Sequence, residues 1–241
     1  MAVLFLFAAS GGRAPSHALQ AFPRVTLWAW ESRQDLREIA PETYAVAYLA
    51  ETIFITDHVA ASARKQSLWV PANTRLIAVV RIEAPSSHAK LAAPGVAQKV
   101  ATLIVEWTHK QQVSGLQIDF DATKSQRSFY RDLIEETRRR MPQGMPLSIT
   151  ALASWCTQSS WLQGLPVDEA VPMLFRMGPD VRQPKEAGWN FQARENACKT
   201  SVGVSMDEPW PAIAPHQRIY VFHPRGWNPV ALENLEKLIT P

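Results

Sequence analysis

The stretch that decides the fold reads Gly115-Leu116-Gln117-Ile118-Asp119-Phe120-Asp121-Ala122. Its side chains alternate, with apolar groups at Leu116, Ile118 and Phe120 and polar groups at the positions between them. Alternation with a period of two is typical of a β-strand whose two faces have different surroundings. A carboxylate removed from water is costly unless it is paired or hydrogen-bonded. The polar face of this strand is therefore either a solvated surface or the lining of a site.

Similar strand-like runs recur along the chain, and helical periodicity separates several of them. The predicted strands are Val25–Glu31, Tyr44–Ile55, Thr74–Glu83, Val113–Ala122, Leu147–Trp155, Ala170–Met177, Ser201–Asp207 and Gln217–His223. The predicted helices are Pro94–Gln112, Ser125–Met141 with Ser125 as its N-cap, Pro229–Ile239 and a short one over Asp35–Ala40. Strands that alternate with helices indicate βα units and a parallel sheet.

Eight such strands favour a single α/β domain, a (β/α)8 TIM-like barrel in which some helices are short or irregular. The alternative is an open doubly wound sheet, which normally carries a glycine-rich turn after its first strand. Here the first strand ends Trp28-Ala29-Trp30-Glu31-Ser32, without a glycine. The barrel is therefore the preferred fold.

The N-terminus carries a short apolar run, Val3–Ala9, followed by small residues up to Ala18. This pattern predicts a signal peptide over residues 1–18, a linker over 19–24 and the barrel domain over 25–241. We therefore expect an exported protein, periplasmic or secreted, and a cytoplasmic one if the run is instead a buried strand. The run is too short to span a bilayer as a helix, so no stable membrane span is expected.

Charge and cysteine content narrow the classes of partner. Lys and Arg number 25 against 22 Asp and Glu, and no basic stripe with interleaved aromatic residues suggests a nucleic-acid partner. No cofactor is indicated, no cysteine or histidine pair has structural-zinc spacing, and the oligomeric state is left open. Cys156 follows the fifth strand and Cys198 precedes the seventh, which places them at opposite ends of a barrel and predicts two free thiols.

The barrel prediction gives the polar strand ends a meaning, because this fold keeps its active site at the C-terminal ends of the strands. Polar and aromatic residues gather at those ends. They are Glu31, Arg81, Glu83, Asp119, Asp121, Trp155, Arg176, Asp207, Glu208, Trp210, His223 and Trp227.

Carboxylates together with tryptophans suit a carbohydrate, because aromatic faces pack on sugar rings and a carboxyl pair can perform acid–base hydrolysis. Asp121 is the predicted general acid/base and Asp207 its counterpart, with Asp119 and Glu208 as further catalytic candidates. The remaining strand-end residues are candidates for substrate binding. Two other readings stay open. Asp119 and Arg81 could form an interior ion pair, or Asp119, Asp121, Glu83 and His223 could serve a metal-dependent hydrolase.

The runs Leu147–Cys156, Val171–Gly178 and Gly203–Pro209, together with Gly115–Ala122, resemble an uncharacterised bacterial family, domain of unknown function 3142. The resemblance implies a barrel of the glycoside-hydrolase-like group without an established activity. A more distant similarity is to family 18 chitinases, whose fourth strand ends in an Asp-x-Asp-x-Glu pattern. Asp119 and Asp121 match the two aspartates, but Thr123 stands at the position of the catalytic glutamate.

The sixth strand of those chitinases carries a Met-x-Tyr-Asp pattern, of which this chain keeps only Met173. The resemblance therefore implies either a hydrolase whose acid lies elsewhere or a non-catalytic carbohydrate-binding barrel.

Overall fold

The computed structural model describes residues 17–85, 91–157, 161–177 and 186–239, so residues 1–16 of the predicted signal peptide lie outside it. The strands are β1 (Val25–Ala29), β2 (Gln34–Asp35), β3 (Tyr44–Ile55), β4 (Val59–Ala63), β5 (Leu68–Trp69), β6 (Leu76–Glu83), β7 (Gly115–Asp119), β8 (Leu147–Leu152), β9 (Glu169–Met173), β10 (Ser201–Ser205) and β11 (Arg218–Phe222). The α-helices are α1 (His17–Gln20), α2 (Val96–Lys110), α3 (Arg127–Arg140), α4 (Ala153–Thr157) and α5 (Pro229–Ile239). None of these helices is long and apolar enough to cross a membrane.

Eight strands close into a parallel barrel in the order β1-β3-β6-β7-β8-β9-β10-β11, and β11 pairs with β1 to complete the ring. Each barrel strand overlaps one of the eight predicted runs. β4 adds to β3 as an antiparallel hairpin, and β2 pairs with β5 in a separate two-stranded sheet. The prediction of a single (β/α)8-type barrel with some irregular connections is confirmed.

Two local predictions fail because backbone groups find other partners. The segment predicted as a helix over Asp35–Ala40 begins as β2, where the Gln34 N–H donates to the Ser67 carbonyl and the Leu36 N–H to that of Trp69. Ser125 is not the N-cap of α3. A 3₁₀ turn over Lys124–Gln126 precedes that helix, and the Thr123 N–H donates to Gln126 Oε1 at 2.8 Å.

The alternation along β7 divides the barrel interior from its outer layer. Leu116, Ile118 and Phe120 are buried in the outer layer between sheet and helices. Gln117 faces the interior, where its Oε1 accepts a hydrogen bond from Trp28 Nε1 at 2.8 Å and its Nε2 donates to Ser148 Oγ. The polar face of the strand is therefore the inner wall of the barrel, as the pattern predicts.

The Trp28 ring fills the middle of the barrel and requires a glycine on the neighbouring wall. A Cβ placed on Gly203 would lie 2.7 Å from Trp28 Cη2, closer than real Cβ atoms approach. The tight fit follows from the close packing of protein interiors. This plug separates the N-terminal end of the barrel from the mouth at its C-terminal end.

The N-terminal end is closed by residues that the sequence assigns to a linker. Leu19 and Phe22 are buried with interior residues of the barrel, so the folded domain begins before Val25. Beneath the plug, Arg218 forms a buried ion pair with Glu169, and its Nη1 donates to the Leu19 carbonyl at 3.0 Å. A buried charge is costly unless it is paired, and this pair meets that requirement inside the barrel.

The prediction of two free thiols is wrong, because Cys156 and Cys198 form a disulfide. The chain turns into α4 directly after β8, which carries Cys156 onto the outer layer rather than the mouth. The segment before β10 runs along that helix, and the N–H groups of Arg194 and Glu195 donate to the Cys156 carbonyl. Neither cysteine lies on a strand, so the strand length does not set their separation.

Candidate active site at the barrel mouth

Asp119 ends β7 and lies at the base of the mouth. Its side chain is partly buried, and its Oδ1 accepts a hydrogen bond from Thr150 Oγ1 on the neighbouring strand β8 at 2.7 Å. Burial raises the pKa of Asp119 to about 6, the Thr150 hydrogen bond opposes that rise, and the charge of Asp121 adds to it. A carboxyl group in such surroundings can hold a proton at mildly acidic pH.

Asp121 stands two residues further on, with more of its surface exposed. Partial desolvation raises the pKa of Asp121 above its ordinary value, and the positive charge of Arg81 opposes the rise. Arg81 is the register partner of Asp119 on β6, and its Nε lies 3.1 Å from Glu83 Oε1. Arg81 therefore forms an ion pair with Glu83 while its field also reaches both aspartates.

These residues share one cleft, of about 190 Å³, at the C-terminal ends of β6 and β7. It is lined by Arg81, Ile82, Glu83, Ala84, Asp119, Phe120, Asp121, Thr123 and Gln126. Four of the strand-end residues singled out from the sequence are thus brought together, as the parallel alignment of two adjacent strands requires.

Thr123 borders this cleft, but its backbone and hydroxyl groups form hydrogen bonds within the loop. Its N–H is bonded to Gln126 Oε1, its Oγ1 lies 3.0 Å from Ser125 Oγ, and Gln126 Nε2 donates to the Pro85 carbonyl. The position that corresponds to the chitinase glutamate therefore starts a helical turn.

A second polar group lies after β9 and β10, on the other side of the mouth. The Arg176 N–H donates to both carboxylate oxygens of Glu208 at 3.0 and 3.1 Å, and Arg176 Nη2 lies 3.8 Å from Asp207 Oδ2. The Ser205 hydroxyl also donates to Asp207. Arg176 adopts a φ of 48°, a left-handed conformation that is uncommon outside glycine, and the Glu208 contacts help to hold it. Strands β8 and β9 lie between the strand that precedes Asp207 and Glu208 and the strand that precedes Asp121.

Aromatic rings at the C-terminal ends of β9 and β11 form a floor beside this second polar group, where Arg176 Cζ lies 5.1 Å from the centroid of the Phe222 ring, and the sequence reasoning missed them. The rings of Phe175 and Phe222 stack with their centroids 5.6 Å apart and an interplanar angle of 8°. The centroid of the Phe175 ring also lies 6.1 Å from that of the Trp28 plug. Trp30 and Met173 pack beside them. The signal was present in the sequence, because Phe222 lies two residues from interior Tyr220, so strand alternation turns its ring inward.

The three tryptophans expected to be ligand platforms lie elsewhere. Trp155 is 4% exposed in the outer layer, and its ring stacks on that of Trp161 with the centroids 4.1 Å apart. Trp227 is 5% exposed, and its indole N–H donates to the Trp28 carbonyl. Trp210 is partly buried against the outer layer and donates its indole N–H to the Ser205 carbonyl. This placement corrects the expectation that Trp155 and Trp227 present open faces to a ligand.

Two further candidates stand at the rim. Glu31 is exposed and lines a separate cleft of about 280 Å³ beside the β3–β4 hairpin. His223 is partly buried, its ring lies 5.5 Å from that of Trp227, and burial together with Arg225 lowers its pKa. Across the described ranges, no three His, Cys, Asp or Glu side chains stand close enough together to hold a metal ion.

Comparison with solved structures finds distant likenesses in fold. The Bacillus cereus spore cortex-lytic enzyme SleL is 16% identical, with a TM-score of 0.48. The match covers 76% of this chain and 51% of the SleL chain. The chitinase domain of the spore coat protein CotE from Clostridium difficile is 12% identical with a TM-score of 0.43, covering 88% and 68%. This chain thus spans about half the length of the SleL chain.

No curated protein matches the sequence. Residues 73–178, which run from the start of β6 past β9 and include Arg81, Asp119 and Asp121, match a family profile. The family is described as "Domain of unknown function (DUF3142)", and the predicted resemblance to it is confirmed over this part of the chain.

Proposed function

We propose that the protein binds a glycan at the C-terminal mouth of the barrel and hydrolyses a glycosidic bond there. The observation that carries the proposal is the pair Asp119 and Asp121, which stands at the mouth with both pKa values raised. Enzymes obtain a general acid that works near neutral pH by raising a carboxyl pKa in this way.

The aromatic floor supports a sugar as the ligand. The rings of Phe175 and Phe222 stack on each other, Arg176 Cζ lies 5.1 Å from the centroid of the Phe222 ring, and both phenylalanines stay only partly buried at the mouth. Aromatic rings supply large contact areas to apolar ligand faces, while the neighbouring carboxylates and Arg81 can hydrogen-bond hydroxyl groups. A floor of rings bordered by charged groups is a suitable surface for a polar ring compound.

In this proposal Asp121 is the general acid/base, because it is the more exposed of the two aspartates and can reach a bound substrate. Asp119 lies below it, tied to Thr150, and positions the site. Glycosidases flank the scissile bond with a second carboxylate. Asp207 is the proposed partner, since its loop follows a strand on the other side of the mouth and it is oriented by Ser205 and Arg176.

A second candidate is a carbohydrate-binding barrel without turnover. The observation in its favour is the state of Thr123, which fills the position of the chitinase glutamate and whose backbone starts a helical turn. Such a protein would keep the aromatic floor and the polar rim as a binding surface while lacking an acid at that position.

We also propose that the protein is exported, as its N-terminal apolar run suggests. The Cys156–Cys198 disulfide supports this proposal, since structural disulfides persist mainly in oxidising compartments. Cell fractionation of the source organism would test it, and recovery of the protein only from the cytoplasm would contradict it.

The catalytic proposal is tested by incubating wild-type protein, Asp121→Asn and Asp207→Asn with a panel of polysaccharides and measuring reducing ends. Loss of a general acid or base typically costs about 100-fold or more in rate, which is the expected effect of Asp121→Asn. Asp132→Asn, which neutralises an exposed carboxylate on α3, is the matched control. Hydrolysis unchanged in both mouth variants would refute the assignment, and binding without hydrolysis by wild type would favour the second candidate.

A further inference from the structure

The β3–β4 hairpin carries an unusual exposed aromatic side chain. Phe54 is 40% exposed, and it is the only Phe, Tyr or Trp among the described residues that is so open to solvent. Exposed aromatic groups lose hydrophobic stabilisation that burial would supply. A ring left open next to a candidate active site therefore calls for an explanation.

Strand register places this ring at the rim of the mouth. A bulge between Leu49 and Glu51 shifts the alternation of β3, after which Ile53 and Ile55 pack outward. Phe54 then faces the other side and pairs with Glu83 on β6. Paired residues of adjacent strands share a face of the sheet, so Phe54 adjoins the cleft that holds Asp119 and Asp121.

The opposite strand of the hairpin leaves the ring uncovered. Ala60 lies across from Phe54 and Ser62 across from Thr52, and both residues of β4 are small. The hairpin thus forms a shallow shelf that continues into the 280 Å³ cleft. That cleft is lined by Glu31, Leu49, Glu51, Thr52, Phe54, Ser62, Ala63, Arg64, Lys65 and Gln66.

Arg64 fixes this shelf against the end of β1. Its guanidinium donates to the carbonyls of Trp30, Ser32 and Gln66, the last two at 2.6 and 2.8 Å. Its backbone N–H also donates to the Ala50 carbonyl. The shelf is therefore held in place before any ligand arrives, which lowers the entropic cost of binding.

We infer that the hairpin cleft is a second sugar-binding subsite, in which Phe54 stacks on a sugar ring and the Glu31 carboxylate accepts hydrogen bonds from the hydroxyl groups of that sugar. The inference rests on the proposed function and narrows its substrate class. From β7 through β6 and β3 to β1 there are three inter-strand spacings of about 4.8 Å, or about 14 Å in all. A ligand that contacts Asp121, Phe54 and, after the end of β1, Glu31 is thus a chain of several sugars, so the substrate is an oligosaccharide or polysaccharide.

Chain length is the variable that tests this subsite. Chito-, cello- and xylo-oligosaccharides of two and six units and solubilised peptidoglycan strands are titrated into wild-type protein by calorimetry, and the tightest series is kept. Phe54→Ala is expected to weaken binding of the hexamer about tenfold, consistent with the loss of one aromatic contact, and to leave dimer binding unchanged. Phe54→Tyr keeps the ring and should restore hexamer affinity.

The controls distinguish failure of the subsite inference from failure of the proposed function. Leu238→Ala removes a side chain on α5 that is 56% exposed, and it should leave both affinities as in wild type. Hexamer binding that Phe54→Ala does not change would overturn the subsite while leaving the proposed function standing. Failure of wild-type protein to bind any glycan of the panel would overturn both.

Discussion

Replacing Asp119 with asparagine should stabilise the protein at neutral pH. The amide keeps an oxygen in place to accept the Thr150 hydrogen bond and removes a carboxylate whose pKa burial raises from 3.8 to about 6. A rise of that size corresponds to about 3 kcal/mol, because each pKa unit is worth about 1.4 kcal/mol. Screening of a partly exposed group lowers the expected gain in unfolding free energy to about 1–2 kcal/mol.

The gain should depend on pH in a defined direction. The folded state holds the Asp119 proton more tightly than the unfolded state, so this group favours folding fully below pH 3.8, and that contribution is lost as pH rises through about 6. The stability of Asp119→Asn relative to wild type should therefore grow between these pH values and stay constant above them.

Urea unfolding at several pH values between 4 and 8 measures this difference. Asp132→Asn, which removes an exposed carboxylate on α3, is the control. A variant no more stable than wild type at pH 7.5, or a gain that is the same at every pH, would refute the reasoning. If the protein proves to be a hydrolase, the stabilised variant should also be less active, because functional sites commonly retain unfavourable charges.

Two further predictions concern the outer layer. Reducing the Cys156–Cys198 disulfide should lower the unfolding free energy by about 4 kcal/mol, because the bond closes a loop with a sequence separation of 42. Urea unfolding with and without reductant measures this loss, and equal unfolding midpoints would contradict the prediction. Trp155→Ala should lower the unfolding free energy by about 3–5 kcal/mol, because the buried ring loses its stack on Trp161. The glycan affinity of the folded variant should be unchanged, and a loss of affinity without a loss of stability would show that Trp155 contacts the ligand.

Much of the candidate site could be predicted from strand alternation alone. Asp119, Arg81 and Glu83 lie on inward positions of adjacent parallel strands, and Asp121 follows the end of β7 by two residues and lines the same cleft. Parallel strands bring their C-terminal ends together. Strand alternation also indicates the inward direction of Phe222, at the end of β11, whereas Phe175 lies beyond the end of β9. Trp155 and Trp227 lie after their strands, where the chain has already turned and alternation no longer indicates direction.

The sequence by itself determined the eight barrel strands, their order along the chain and the inward face of Asp119, because side chains on a strand must alternate; it did not predict β2, β4 or β5. Only the tertiary structure decided which groups meet across elements. The Cys156–Cys198 bond, the shelf beside Phe54 and the raised pKa of Asp119 all depend on how loops and neighbouring strands pack. Such contacts join residues far apart in sequence, so local periodicity carries no information about their distance or their desolvation.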